Sequence, residues 1–205
     1  MALATLSAAS LAFLATAFAA QPASDPSAVP SGTYELDPNH TTVVFGVSHA
    51  GFSTYRGSFT EKSGTLEWNA EDPTQSTLMV TLGADSVDSP EAESHSGNAD
   101  FQEDISINAL GADEHPEITF TSTALERTDE TSGIVTGDLT FNGQTAEIQM
   151  PVTLVGAGEM MGGQRIGFSG TTTLDRTKWG SEAWTDFGIG TEVAVTIEAE
   201  FTLAQ

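Results

Sequence analysis

The sequence predicts an all-β fold, a single antiparallel barrel or sandwich with one short helical insertion, and three observations carry that expectation. From Thr33 onward apolar residues recur at every second position, Gly and Asn punctuate segments of strand length, and one polar stretch, residues 90–113, lacks the alternation. No internal repeat is present, so the strands belong to one sheet system around one core.

In chain order, residues 1–20 carry no charge, are rich in Ala, Leu, Ser and Thr, and end in Ala17-Phe18-Ala19-Ala20. They read as a secretory signal peptide cleaved after Ala19 or Ala20, although the usual positive start is missing. A transmembrane anchor is the competing reading. It is weakened by the modest hydropathy of the stretch and by the lack of following stop-transfer charges. Residues 21–32, with Pro22, Pro26 and Pro30 among Ser and Ala, read as a flexible tether leading into a domain over residues 33–205. The expected location is the periplasm or the exterior.

Strand candidates follow at residues 33–36, 41–49, 56–59, 64–68 and 78–87. Residues 90–113 then place Pro90 at a helix-compatible first position and scatter Phe101, Ile105, Ile107 and Leu110 irregularly, which fits a short helix and a long connection. Strands resume at 117–127, 134–141 and 145–155. Asn142-Gly143 between the last two is a strong hairpin signal, because both residues tolerate positive φ. Ile148, Met150, Val152 and Leu154 alternate with polar neighbours, and Pro151 among them points to an edge or a bulge. Residues 156–163 read as a loop and 165–175 as a strand. The last strand, 193–203, sets Val193, Val195, Ile197, Ala199, Phe201 and Leu203 on one face against Thr196, Glu198, Glu200 and Thr202 on the other.

Composition narrows the function. Six Lys and Arg against 29 Asp and Glu give a formal charge of −23, which excludes a nucleic-acid footprint and disfavours anionic lipid surfaces. The acidity is spread from Asp25 to Glu200 without a run of like charge, and it predicts a protein adapted to high salt, where screening relieves self-repulsion. With no cysteine, disulfides, thiolate metal sites and cysteine nucleophiles are excluded. Eleven Phe and three Trp are ample for a folded core.

Tyr34-Glu35-Leu36-Asp37-Pro38-Asn39-His40 with Thr41–His49 resembles the opening of YceI-like proteins: an aromatic strand, an Asp-x-x-His turn and a strand closing on His. Gly57-Ser58-Phe59, Gly64-Thr65-Leu66, Ser86-Val87-Asp88-Ser89, His95, Ala99-Asp100-Phe101 and His115-Pro116-Glu117-Ile118-Thr119-Phe120 resemble successive landmarks of that family. So do Val135–Gly143 and Asp175-Arg176-Thr177-Lys178-Trp179-Gly180. The chain departs from the family at Glu91-Ala92-Glu93-Ser94, at Ser96 and in an insertion over 103–113. The resemblance implies a lipocalin-like antiparallel β-barrel whose apolar lumen holds an extended isoprenoid, a polyprenyl chain or a quinone. It implies no required cofactor and no stable membrane insertion. The oligomeric state stays open, a homodimer included.

Expected ligand-site residues are Phe45, Val47, His49, Phe59, His95, Phe101, Phe120, Phe141, Arg176 and Trp179. His49 shares parity with Val43, Phe45 and Val47 and should point inward, either as a satisfied core histidine or as a polar contact to a headgroup. His40 follows a turn and reads as a backbone cap; His95 lies in the insertion and His115 ends a loop. Convergence of His40, His49 and His95 on a carboxylate would make a divalent-cation site, without any close ligand spacing to support it. Each Phe is individually explained by core packing, and the methionines by gap-filling. Arg56 and Arg176 suit either structural ion pairs or a polar headgroup, and the scarcity of cations favours a neutral isoprenoid over a polyprenyl phosphate. Gly167-Phe168-Ser169-Gly170 lacks nucleophile-elbow spacing, and residues 156–162 miss the dinucleotide fingerprint. The leading expectation is thus an exported, non-catalytic lipid binder. The rivals are an isomerase or cyclase using His49 as acid or base, and a filled barrel acting as an interaction or stress protein.

Overall fold

A computed structural model describes residues 22–89 and 100–205. The strands are β1 (Gly32–Leu36), β2 (Thr42–His49), β3 (Ser53–Phe59), β4 (Lys62–Trp68), β5 (Thr77–Gly83), β6 (Val87–Asp88), β7 (Glu117–Arg127), β8 (Ser132–Phe141), β9 (Gln144–Met160), β10 (Gly163–Asp175) and β11 (Ile189–Leu203). Every pairing is antiparallel, and the order β1-β4-β5-β7-β8-β9-β10-β11 closes on itself through β1 and β11. That makes an eight-stranded up-and-down barrel, its ring of ladders closed by the β1–β11 pairing.

Three of the eight staves are broken lengthwise. β1 lies against residues 201–203 of β11, and β2 lies against the same strand from Ile189 to Glu198. β3 and β4 form the next broken stave, and β5 and β6 the third. The first break is built by Asp37-Pro38-Asn39. Pro38 brings no N–H to a ladder, and the Asp37 carboxylate accepts from the Asn39 N–H at 3.0 Å. The same carboxylate meets His40 Nδ1 at 2.8 Å and Arg165 Nη1 at 2.9 Å, while that Nη1 also reaches Glu200 at 3.3 Å. The hydrogen bond from His40 and then that from Arg165 hold the Asp37 carboxyl down to about 2.

The strand expected over 78–87 is two, β5 and β6, parted by a turn that the Ser86 hydroxyl closes by donating to Gly83 O at 2.8 Å. Elsewhere inward residues follow the expected parity, with two refinements. The loop expected over 156–163 is strand: β9 runs to Met160 and only Met161 and Gly162 turn. The cause is a bulge at Val155, where Gly167↔Gly156 is followed by Phe168↔Leu154. Parity flips there, so Leu154 and then Ala157 face inward while Val155 is exposed. The other refinement concerns Pro151. It lies inside β9, but the ladder from β9 to β10 stops beside it at Gly170↔Val152, so β9 is locally an edge toward β10.

Residues 22–31, expected as a flexible tether, dock on the barrel. Ala23 and Ala157 exchange backbone hydrogen bonds of 2.9 and 2.8 Å, and Val29 is buried. Val29 joins Tyr34, Trp68, Ile166 and Phe201 in a cluster that fills this end of the barrel, and the Tyr34 hydroxyl donates to Pro30 O at 2.8 Å. The signal-peptide reading of 1–20 lies outside the described residues.

At the opposite end lie the hairpin turn of β2–β3, the Asn142-Gly143 turn, and two covering segments. Asn142 and Gly143 take φ of 48° and 67°, as the hairpin reading requires. The first cover is the helix α1 (Asp100–Asp104) with a π turn over Ile105–Ala109, within the stretch expected to be helical. The second is the 3-10 turn Arg176–Trp179 with the residues that follow it to β11.

Candidate ligand-binding cavity

An eight-stranded barrel is just wide enough for side chains to fill it or to leave room for one ligand, so the inward residues decide which. At the closed end they are large: Trp68 and Phe168 stand 5.9 Å apart between centroids, and Phe168 and Phe201 6.4 Å, giving the lumen an aromatic floor. Above that floor the lining is largely aliphatic, with Val43, Val80, Val135, Val152 and Val195 among the residues that border one open space. The space left is a cavity of about 540 Å³, within the range of about 300–1,000 Å³ that holds small-molecule ligands.

Two glycines admit the aromatic walls. The Phe120 ring lies over Gly137, where a Cβ would sit 2.5 Å from the ring and 2.5 Å from Thr121 O. Phe45 occupies the space over Gly57 in the same way and stands 5.8 Å from Phe59.

Phe45, Val47, Phe59, Phe101, Phe120 and Phe141 all line the cavity. His49 lines it too but sits exposed on its rim, paired with Ile189 of β11 and Ser53 of β3. Trp179 does not line it: the indole stacks behind Phe141 at 5.3 Å and 22° and donates to Leu139 O at 3.0 Å. His95 lies outside the described residues. Arg176 borders the cavity with its donors already committed, Nε to Gly190 O, Nη1 to Ser181 O and Nη2 to Ala183 O, at 2.7–3.0 Å. Burial lowers its pKa, and the guanidinium ties β10 to the start of β11.

His40 and His49 do not converge. They lie beside opposite ends of β11, at Glu200 and Ile189, and the nine residues of largely extended chain from one to the other span up to about 30 Å. Asp37, His40 and Glu200 do bring ligand-type atoms within 4.8 Å, but Arg165 already bridges the two carboxylates there.

Several lining residues carried no signal strong enough to single them out. Tyr55 and Trp184 contact Phe101 at 6.1 and 6.0 Å and frame the mouth with Phe187. Tyr55 fell before the expected start of its strand, and Trp184 lies in a connection without periodicity.

The electrostatics of the lining differ from those of the chain. Among the described residues no carboxylate borders the cavity. The other charged side chain there, Lys62, directs Nζ to Phe59 O at 3.2 Å and to Thr60 O at 3.4 Å. A hydrocarbon tail meets almost no group whose hydration it would strip, whereas a phosphate would find no uncommitted pair of cations.

Residues 34–201 match the model of the YceI-like domain. A UPF0312 protein of Ectopseudomonas mendocina is 38% identical over 138 residues, covering 66% of this chain and 68% of that one. Among solved structures, Burkholderia cenocepacia BcnA superposes with a TM-score of 0.69 at 20% identity, over 80% of this chain and 98% of its own. A polyisoprenoid binding domain from Saccharophagus degradans, implicated in plant cell wall breakdown, gives 0.64 at 14% identity, over 83% and 98%. At these identities the two structures speak to the fold.

Proposed function

The chain belongs to the YceI-like family, and from that premise we propose that it is an exported binder of a long, neutral isoprenoid, a quinone or a polyprenyl chain, held in the lumen for carriage or sequestration. The observation that carries this reading is the 540 Å³ cavity with apolar walls and an aromatic floor. The polyisoprenoid binding of the Saccharophagus degradans domain, which shares the fold, supports it.

The mechanism is burial, with no bond made or broken. Each methylene withdrawn from water contributes about 0.8 kcal/mol, so a tail gains affinity without polar recognition. The tail enters first and runs toward Trp68 and Phe201, because a polar headgroup at the floor would be buried among rings. The headgroup stays beside His49 and Tyr55 at the mouth, where water is near.

Protein purified from its native host without detergent should release a neutral isoprenoid into organic solvent, identified by mass spectrometry at close to one per chain. Recovery of a phosphorylated lipid would overturn the neutral assignment, and recovery of no lipid from several preparations would overturn the reading as a whole.

A further inference from the structure

We propose that the mouth of the barrel is itself a docking surface for a membrane of uncharged or zwitterionic lipid, with Phe52 and Phe187 as the inserting side chains. This rests on the lipid-binding reading above and adds how the protein meets the source of its ligand.

Phe52 and Phe187 are 91% and 79% exposed, far from what core packing gives an aromatic residue. They stand on abutting loops. Ala50 N–H donates to Gly188 O at 3.0 Å, and a Cβ on Gly188 would lie 3.3 Å from the Ala50 Cβ, so the β2–β3 turn and the residues entering β11 are in contact. Phe187 also lines the cavity, beside Ile189 and His49. A ligand leaving a membrane at Phe187 would therefore pass from acyl chains into the lumen without crossing water.

The charge pattern selects the kind of membrane. The chain carries 29 carboxylates, yet residues 49–55 contain none and residues 183–191 contain only Asp186. Nearby Arg56 is exposed, and Glu182 faces solvent on the flank. The two loops that carry the rings thus hold a single carboxylate, Asp186, while Glu103 and Asp104 of α1 stand exposed on the cover at the same end of a protein of charge −23. Such a surface suits neutral headgroups and is repelled by anionic ones over the reach of salt screening. Two apolar rings inserted at the headgroup boundary give weak, reversible binding, which a shuttle needs.

The test uses the full mature chain and phosphatidylcholine vesicles in a flotation assay, beside a water-dispersed fluorescent farnesyl probe that needs no membrane. The wild type should float with the vesicles. The variant Phe52→Ser, whose side chain does not line the cavity, should partition about tenfold less while binding the probe unchanged. Adding phosphatidylglycerol should weaken flotation at low salt, and NaCl should restore it. Wild type that binds the probe but never floats overturns the docking proposal and leaves the ligand reading standing. A variant that floats as well as wild type also overturns it, and self-association lost in the variant during sedimentation without vesicles would reassign the rim to a second copy. Failure of wild type to bind the probe, with flotation intact, instead counts against the ligand reading.

Discussion

Val195→Trp separates a hollow barrel from a filled one. Val195 lies in the middle of β11, paired with Phe45 on one side and Thr172 on the other, and it faces the cavity. At about 30 Å³ per water-sized group, 540 Å³ accommodates roughly 18 methylene-sized groups. Their burial represents about 14 kcal/mol before the costs of association are set against it. Tryptophan adds about seven non-hydrogen atoms and displaces a like number of tail carbons, about 5–6 kcal/mol gross. With part of the tail re-routed, the expected loss is about 3 kcal/mol, or roughly a hundredfold in Kd. The added ring has space to occupy, so the melting temperature should hold or rise. Ile166→Trp is the contrast, because Ile166 is fully buried in the filled end and does not border the cavity. Over-packing there should cost about 1–3 kcal/mol and leave the lumen in place. Calorimetric melting with fluorescent-probe titration reads both quantities. A Val195→Trp protein that melts as early as Ile166→Trp and still binds the probe at full strength would refute the hollow lumen.

Three further outcomes follow from the same structure. Gly137→Ala should destabilise by about 1–3 kcal/mol in urea titrations, because a methyl there meets Thr121 O, which the β7–β8 ladder holds; an unchanged midpoint would contradict that packing. Asp37 is held to about 2 against an ordinary 3.8, so its contribution is complete above pH 4 and disappears as pH falls through 2. With allowance for solvent screening, Asp37→Asn should remove about 1 kcal/mol at neutral pH and flatten the stability profile between pH 4 and pH 2; an unaltered profile would refute a stabilising role for the Asp37 contacts with His40 and Arg165. Raising NaCl toward molar concentration should raise the melting temperature of a chain of charge −23, and a flat or falling response would remove the high-salt adaptation.

What was legible in the sequence is what repeats with period two. β7 was bounded to the residue, and β11 lacked only its irregular start, where Ile189 and Val193 are separated by a bulge. The bulge at Val155 hid the last third of β9, because one extra residue reverses parity and the glycines around it imitate a loop. Residues 53–55 were missed at the head of β3, since Ser53 and Thr54 show no apolar alternation. The candidate site divides along the same line. Strand-borne Phe45, Phe59, Phe120 and Phe141 line the cavity as their parity requires, whereas Trp179, on a 3-10 turn, stacks outside it. Tertiary contacts alone reveal the mouth, where α1, the β2–β3 turn and residues 181–189 come together from distant parts of the chain.

Burial of an apolar tail in the lumen is tested most directly by an isoprenoid series. Delipidated protein would be titrated with isoprenols of increasing carbon number at fixed headgroup. Affinity should climb steeply with each added unit and level off at about 15–20 carbons, where the roughly 18 places above Trp68 and Phe201 are filled. Affinity independent of chain length, or no binding at any length, would contradict the account.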